Sequence, residues 1–388
     1  SLAVQPSNAG ILCRIDQSDP RDPIRNLQVW MPGFRAARSP FHPQFVDRLR
    51  PFRVIRFMDW AATNNSPVSR WSDRTTPATA QQAGAQGVAI EYMIDLCNEL
   101  GADPWFCMPH RADDEYVRQF AELVRDRLDP AARIYVEWSN EAWNGIFQQA
   151  AWVQTEAKQR QQRWTWVIAD EARRDWDIWR AVLRDGTSDD RKSDPAQRLR
   201  RVVAGQHYNP WVCQDIAERL DGQFDVIACG AYFFPQPADT ASFNDSTPLA
   251  AVAASCRQNI DGPGIENWQK HQRLAAEWSK RLGRDIELAA YEGGQHLTTD
   301  GQTLAYTELF HRLQLDAAMK PLYQQLFDAL AACQFDLFVA YNYVGHHDAY
   351  GSWGHLRFQD EPAAEAPKFE ALLEAAAKVP QPSAASHP

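Results

Sequence analysis

The chain has 388 residues, with forty basic and fifty acidic side chains giving a formal net charge of -10, a surplus that would repel a phosphate backbone and argues against nucleic acid or an anionic membrane as partner. Its composition, 45% hydrophobic and 23% charged, is globular, and no apolar run reaches the roughly 20 residues that span a bilayer. A neutral substrate suits this balance, and the length fits two average domains or one enlarged barrel.

The start, SLAVQPSNAG, has neither the basic nor the apolar region of an export signal, so a signal is removed or never existed, and a secreted or periplasmic protein is expected. Residues 1–26 read as an N-terminal extension packing on a barrel that occupies 27–378. Eight short β-rich runs follow, at 27–31, 53–58, 104–108, 133–138, 201–205, 225–232, 286–291 and 336–341, with ILCRI at 11–15 a rival for the first. Their apolar character is nearly continuous, as in strands covered on both faces. Between them lie amphipathic segments: GVAIEYMIDLCNEL, DDEYVRQFAELVRDRL, PWVCQDIAERL, ENWQKHQRLAAEWSKRL and the run 303–326. Strand and helix alternate along the chain, which predicts an α/β fold, a (β/α)8 TIM barrel with enlarged βα loops. The segment 146–185 exceeds one barrel helix, and its Trp176, Trp179 and Leu183 stand at helical spacing, as for core packing. Residues 187–195 and 235–263 read as loop-like insertions, the second after strand six. After a last helix at 368–378 comes a Pro/Ser-rich tail, 379–388, with too little apolar surface to order.

Seven scattered cysteines without a CxxC pair exclude a zinc knuckle and a dense disulfide scaffold. Room remains for one bridge, Cys213 to Cys256; the odd count leaves at least one thiol free or intermolecular. Fifteen tryptophans offer flat apolar faces that match pyranose rings, although large cores use them too. Of these, Trp60, Trp143, Trp211 and Trp353 follow strand ends and are candidate sugar platforms. Asp59, Asn64 and Asn65, after strand two, are candidate partners for sugar hydroxyls.

The densest chemical signal is RIYVEWSNEAWNG at 133–145, where a strand ends in Asn140-Glu141. A second strand-end carboxyl, Glu292, stands in IELAAYEGGQH, and Gly293-Gly294 allows close backbone approach there. All barrel strands present their C-terminal ends on one face, so the two carboxyls share a mouth, on strands four and seven of eight. Glycoside hydrolysis needs such a pair, one acid to protonate the leaving oxygen and one carboxylate to attack or to activate water. About 5 to 5.5 Å between them gives retention and roughly 6.5 to 9.5 Å gives inversion. Glu137 has the parity of Glu141 on the same strand and is the alternative carboxyl; as a buried acid it would need a structural partner. His346-His347-Asp348 with His110, His207 and His296 could be assembled into a metal site, but adjacent histidines project apart, no HxH ends the first strand and no lysine fits a bridging role. No metal and no cofactor is expected.

The Asn-Glu pair and the strand-seven Glu resemble glycoside hydrolase clan A, the retaining (β/α)8-barrel glycosidases, over most of the chain. The resemblance implies Glu141 as acid/base, Glu292 as nucleophile and Asn140 on the sugar 2-hydroxyl, hence retention. It also implies an Arg on strand two beside the nucleophile, matched by Arg56, a Tyr after strand six, matched by Tyr232, and a histidine at His110. His207 in AGQHYNPW reads as a loop hydrogen-bonder or substrate contact. The strand-eight aromatic of the clan has three competitors, Tyr341, Tyr343 and Trp353. Arg56 would depress the pKa of Glu292, and anionic Glu292 would raise that of Glu141. The expectation is a retaining glycoside hydrolase that cleaves β-glycosidic bonds of an oligo- or polysaccharide, with a non-catalytic carbohydrate-binding barrel and a metal-dependent barrel hydrolase as alternatives.

Overall fold

The structure, a computed structural model, describes residues 14–25, 39–185 and 194–379. The chain divides into two compact units, 1–42 and 43–388. The first expected strand, at 27–31, lies outside the described residues, as do most of 187–195, most of ILCRI and nearly all of the tail. In the first unit a turn is closed by the Asp22 N–H donating to the Asp19 carbonyl at 3.1 Å.

In the second unit, seven described strands form one parallel sheet in chain order: β1 Val54–Arg56, β2 Asp103–Met108, β3 Ile134–Trp138, β4 Leu199–Gly205, β5 Val226–Phe233, β6 Glu287–Gln295 and β7 Leu337–Ala340. They correspond to the second through eighth expected strands and make a nearly closed TIM barrel. Helix α1 Pro43–Leu49 precedes β1, and the others follow strands: α2 Ile90–Leu100, α3 Asp114–Arg127, α4 Gln148–Arg160, α5 Trp164–Arg184, α6 Trp211–Leu220, α7 Pro237–Thr240, α8 Leu249–Asn259, α9 Ile265–Leu282, α10 Thr307–Leu315, α11 Met319–Ala332 and α12 Pro367–Lys378.

Strand alternation sorts the side chains into two layers. Trp105, Cys107, Tyr135, Val202, Val226, Ala228, Ala289 and Tyr291 fill the barrel interior, while Cys229, Ala231, Phe233 and Ala290 face the helices. Helix α3 shows why such segments form: Asp113 caps it by accepting from the Tyr116 N–H at 2.7 Å, acids open it and arginines close it. Its Phe120 meets the Trp179 ring at 5.7 Å, and Trp176 donates to the Val136 carbonyl at 3.0 Å, so the tryptophan stripe of α5 is core.

Three expectations are corrected. The 235–263 segment is mostly ordered: α7 and α8 occupy it, followed by a π turn at Ile260–Gly264. Its prolines suggested a loop, but Pro237 and Pro248 sit at or just before helix starts, where a missing N–H costs nothing. Inside it, Ser255 Oγ accepts from the Gln236 N–H at 2.8 Å and Asn259 from the Phe234 N–H at 3.3 Å. The run 303–326 is two helices, α10 and α11, divided near Asp316, and 146–185 is likewise α4 and α5. Cys213 and Cys256 are not bridged; both are free and buried, as are the other four described cysteines.

Candidate active site

The carboxyl pair depends on two backbone irregularities. At the end of β3, Ser139 and Glu141 both adopt positive φ, +60° and +41°, a region that side-chain-bearing residues rarely occupy. Ser139 still extends the ladder, its N–H donating to the Met108 carbonyl at 2.9 Å, so the chain turns sharply as Glu141 emerges. Such outliers persist where the surroundings over-determine them, typically at functional sites.

On β6 the problem is parity. Ala289 and Tyr291 point into the barrel, so strict alternation would turn Glu292 outward with Ala290. The register prevents this: Cys229 pairs with Ala290 and Gly230 with Glu292, so Tyr291 is an extra residue. The same slip recurs on the other side, where Ala290 faces Phe338 and Gly293 faces Ala340. A bulge of this kind re-aims the following side chain. Past it, the strand runs so close to β5 that a Cβ on Gly293 would lie 2.5 Å from the Ala231 carbonyl oxygen.

Arg56, at the end of β1, ties the site together. Its guanidinium donates to Glu137 Oε2 at 2.9 Å, to Asn140 Oδ1 at 2.7 Å and to Glu292 Oε2 at 3.3 Å. Glu137 also accepts from Trp105 Nε1 at 2.9 Å, so it is a buried, paired acid despite the parity it shares with Glu141. The other oxygen of Glu292 accepts from the Tyr232 hydroxyl at 3.0 Å. Glu141 accepts from the Tyr291 hydroxyl on Oε1 and from Asn144 Nδ2 on Oε2, both at 2.9 Å. Asn140 is oriented by Asn64, whose carbonyl accepts from it at 3.0 Å and from Gln149 at 2.7 Å. The Asn64 carbonyl is thereby committed to Asn140 and Gln149, and Asn65 caps α4 by accepting from the Gln148 N–H at 2.7 Å.

Burial pushes Glu292 up to about 8; the Glu141 carboxylate adds to the push, and Arg56 and the Tyr232 hydroxyl oppose it. Glu141 is also raised, by burial first, with Asn144 and Tyr291 opposing. The expectation that Arg56 would hold Glu292 low is therefore corrected. Arg56 shares its charge among Glu137, Asn140 and Glu292, and this does not offset desolvation of the carboxylate. The pair as a unit retains a proton at neutral pH.

A cavity of about 520 Å³ runs between β1 and β7, from Leu49, Leu96 and Phe369 to Arg56, Asp59, Trp60 and Tyr341, with Tyr291 and Glu292 at its edge. Burial raises Asp59, against the Arg56 charge and a hydrogen bond with Tyr341. Trp353 sets its ring edgewise to Tyr232 and Tyr341, each at 5.8 Å, and to His296 at 4.9 Å, which brings it to the pair. Trp143 and Glu141 line a separate narrow crevice. Tyr343, by contrast, packs on Phe45 at 5.6 Å and Phe369 at 6.4 Å, and its hydroxyl accepts from Gln359. His207 lies flat on Trp268 at 5.2 Å, with burial lowering it to about 3. His110 stands edgewise to Trp152, lowered to about 4, so both imidazoles are neutral at ordinary pH. Trp211 is 43% exposed at the start of α6, with Trp164 its ring neighbour at 6.2 Å. Among the described residues no cluster of three or more His, Cys, Asp or Glu is arranged to hold a metal ion. No described helix is long and apolar enough to cross a membrane.

Sequence reasoning missed Tyr291, Asn144 and Gln149. Asn144 had a signal, three residues after Glu141 and within one turn of it; Tyr291 had one in its inward parity beside Glu292.

No family model matches the chain, and no curated protein matches its sequence. Among solved structures it is similar to a family 51 alpha-L-arabinofuranosidase from Bifidobacterium longum, at 12% identity and TM-score 0.54 over 87% of this chain and 69% of that one. An endo-beta-1,4-mannanase from Cellulomonas fimi aligns at 12% identity and TM-score 0.44, over 86% and 73%. Fungal beta-1,4-galactanases align at 12% and 0.36, over 76% and 80%. The likeness of fold rests on the first of these. The chain therefore has the (β/α)8 barrel fold of that arabinofuranosidase, in agreement with the clan A resemblance of its strand-end residues.

Proposed function

We propose that the protein is a retaining glycoside hydrolase that cleaves β-glycosidic bonds of an oligo- or polysaccharide. One observation carries the reading: Arg56 donates to Glu292 and sets its guanidinium over the Tyr291 ring, whose hydroxyl donates to Glu141, so the two carboxyls, from opposite parts of the barrel, come near enough for the charge of Glu141 to push up Glu292. Glu141 is the acid, protonating the glycosidic oxygen as Glu292 attacks the anomeric carbon and the C–O bond breaks. Both carboxyls are raised by burial, so one proton is available to the pair near neutrality. Sugar binding places it on Glu141, because Arg56 touches Glu292 and favours its anion. Glu292 becomes a neutral ester. Glu141, now ionised, takes a proton from water, and the resulting hydroxide equivalent releases the sugar and restores Glu292.

Asn140, held between Arg56 and Asn64, faces the sugar 2-hydroxyl; Tyr232 and Trp353 wall the ring, with Trp60 and Trp143 toward the rims. His110, His207 and Tyr343 are substrate contacts of lower rank, since each is engaged in packing. The test is a panel of β-linked chromogenic glycosides and glycans, with α-L-arabinofuranosides included because the fold neighbour's name is that of an enzyme of this kind. Turnover by the wild type that Glu292→Gln abolishes supports the reading; a panel with no turnover, or turnover that survives the substitution, refutes it.

A further inference from the structure

Tyr291 and Glu292 are consecutive, yet both reach the barrel interior. Tyr291 keeps the inward parity of Ala289 and is 2% exposed among Trp105, Ala228 and Met58. Glu292 joins it only because the register skips Tyr291 against β5 and slips by one residue between Ala290 and Gly293 against β7. The tyrosine hydroxyl then crosses the barrel and donates to Glu141 Oε1 at 2.9 Å. Its ring lies 5.0 Å from the Arg56 guanidinium carbon, the group that also holds Glu137, Asn140 and Glu292. Burial and the two nearby carboxylates push the phenol well above its ordinary range, so this hydroxyl keeps its proton and donates it to Glu141.

We infer that Tyr291 is a positioning residue of the reaction: one inserted residue both turns Glu292 toward the sugar and reaches over to fix the Glu141 carboxyl. The two reactive groups are thus set from a single point of the backbone. The inference rests on the acid/base reading of Glu141. The Tyr291 hydroxyl bonds the anion of Glu141 and so moderates the rise that burial imposes; it eases loss of the proton to the leaving oxygen and steadies the base in the second step. Asn144 does the same on the other oxygen, but from the Glu141 turn itself, so it carries no information across the barrel.

The experiment is a pH titration of protein labelled with ¹³C at the glutamate side-chain carboxyl, in wild type and Tyr291→Phe, with the Glu141 resonance assigned through Glu141→Gln. The Glu141 midpoint is expected to rise by about one pH unit in Tyr291→Phe. The basic limb of kcat/KM should move upward with it, a shift that a merely structural tyrosine would not produce. An unchanged or lowered midpoint overturns the inference. The titration needs no turnover, so a wild type inactive on every glycoside refutes the proposed function while still testing Tyr291. Should Tyr291→Phe fail to fold, the hydroxyl proton of Tyr291 is followed in Glu141→Gln: a changed resonance supports the contact, and an unchanged one overturns it.

Discussion

The two ends of the barrel use the same residue types and reach opposite electrostatic outcomes. At the N-terminal end of the strands, Asp225 accepts from Arg201 Nε at 2.7 Å, from Arg201 Nη2 at 3.0 Å, from the Arg201 backbone N–H at 3.0 Å and from Arg284 at 3.2 Å. It is held below the ordinary carboxylate range: burial still works against the anion, but Arg201 and its neighbours more than offset it. Close by, Arg200 and the Tyr135 hydroxyl both donate to Glu287. At the C-terminal end, four acids, Asp59, Glu137, Glu141 and Glu292, gather around Arg56, whose charge reaches each of them, and Glu292 is driven up to about 8. Arginines in surplus stabilise the lower rim; acids in surplus leave the upper one with a labile proton.

The comparison breaks most visibly at Asp225. Asp225→Ala leaves Arg201 without its carboxylate and Arg284 with only the Gly222 and Phe224 carbonyls, two cations in proximity with no anion between them, and about 3 kcal/mol of unfolding free energy should be lost. A urea midpoint shift equivalent to less than about 1 kcal/mol would mean that the lower rim does not stabilise the barrel in this way.

The next effect is in pH. Glu292 is raised from 4.5 to about 8, so the folded state binds more protons than the unfolded one between those values, and stability falls as pH rises through that window. Asp225 is depressed, so its contribution is present above its unfolded pKa and is lost as pH falls through its folded one. In Glu292→Gln the decline toward pH 8 should flatten while the acid-side loss persists. Melting curves of both proteins from pH 4 to 9 check both limbs, and a wild-type curve that runs parallel to that of Glu292→Gln between pH 5 and 8 would contradict the assignment.

The smallest effect sharpens the upper rim. Asn64→Ala removes the acceptor of Asn140 and Gln149 and should cost about 1 kcal/mol in stability. On the proposed reading KM rises with little change in the pH limbs, because neither carboxyl loses a partner. A shift in the limbs would place Asn64 nearer the proton chemistry than its contacts do.

Much of this was legible in the sequence. Continuous apolar runs and helical period located the seven described strands to within a few residues, because strands buried on both faces have little freedom in composition. Asn140-Glu141 and Arg56 were legible for the same reason, standing where strands end. Glu292 was found, but on the assumption that it closed its strand; it lies inside β6, a strand that continues to Gln295. Period-two reasoning alone would have turned it outward, and nothing in AAYEGG announces the insertion that reverses it. Nor did spacing show that Tyr291 would reach Glu141, a contact between residues 150 apart in the chain. The helix α8 was hidden by its small side chains, with Val252 and Cys256 as its largest buried apolar groups.

The buried thiols have a use of their own. Cys97, Cys107, Cys213, Cys229, Cys256 and Cys333 are each at most 2% exposed, and burial pushes each away from its reactive thiolate. Alkylating reagents attack the thiolate, so these groups should react only when the segment around them opens. Spread over α2, β2, α6, β5, α8 and the end of α11, they form a built-in set of reporters. Timed labelling read by peptide mass would rank which sectors of the barrel breathe first, without adding any foreign probe.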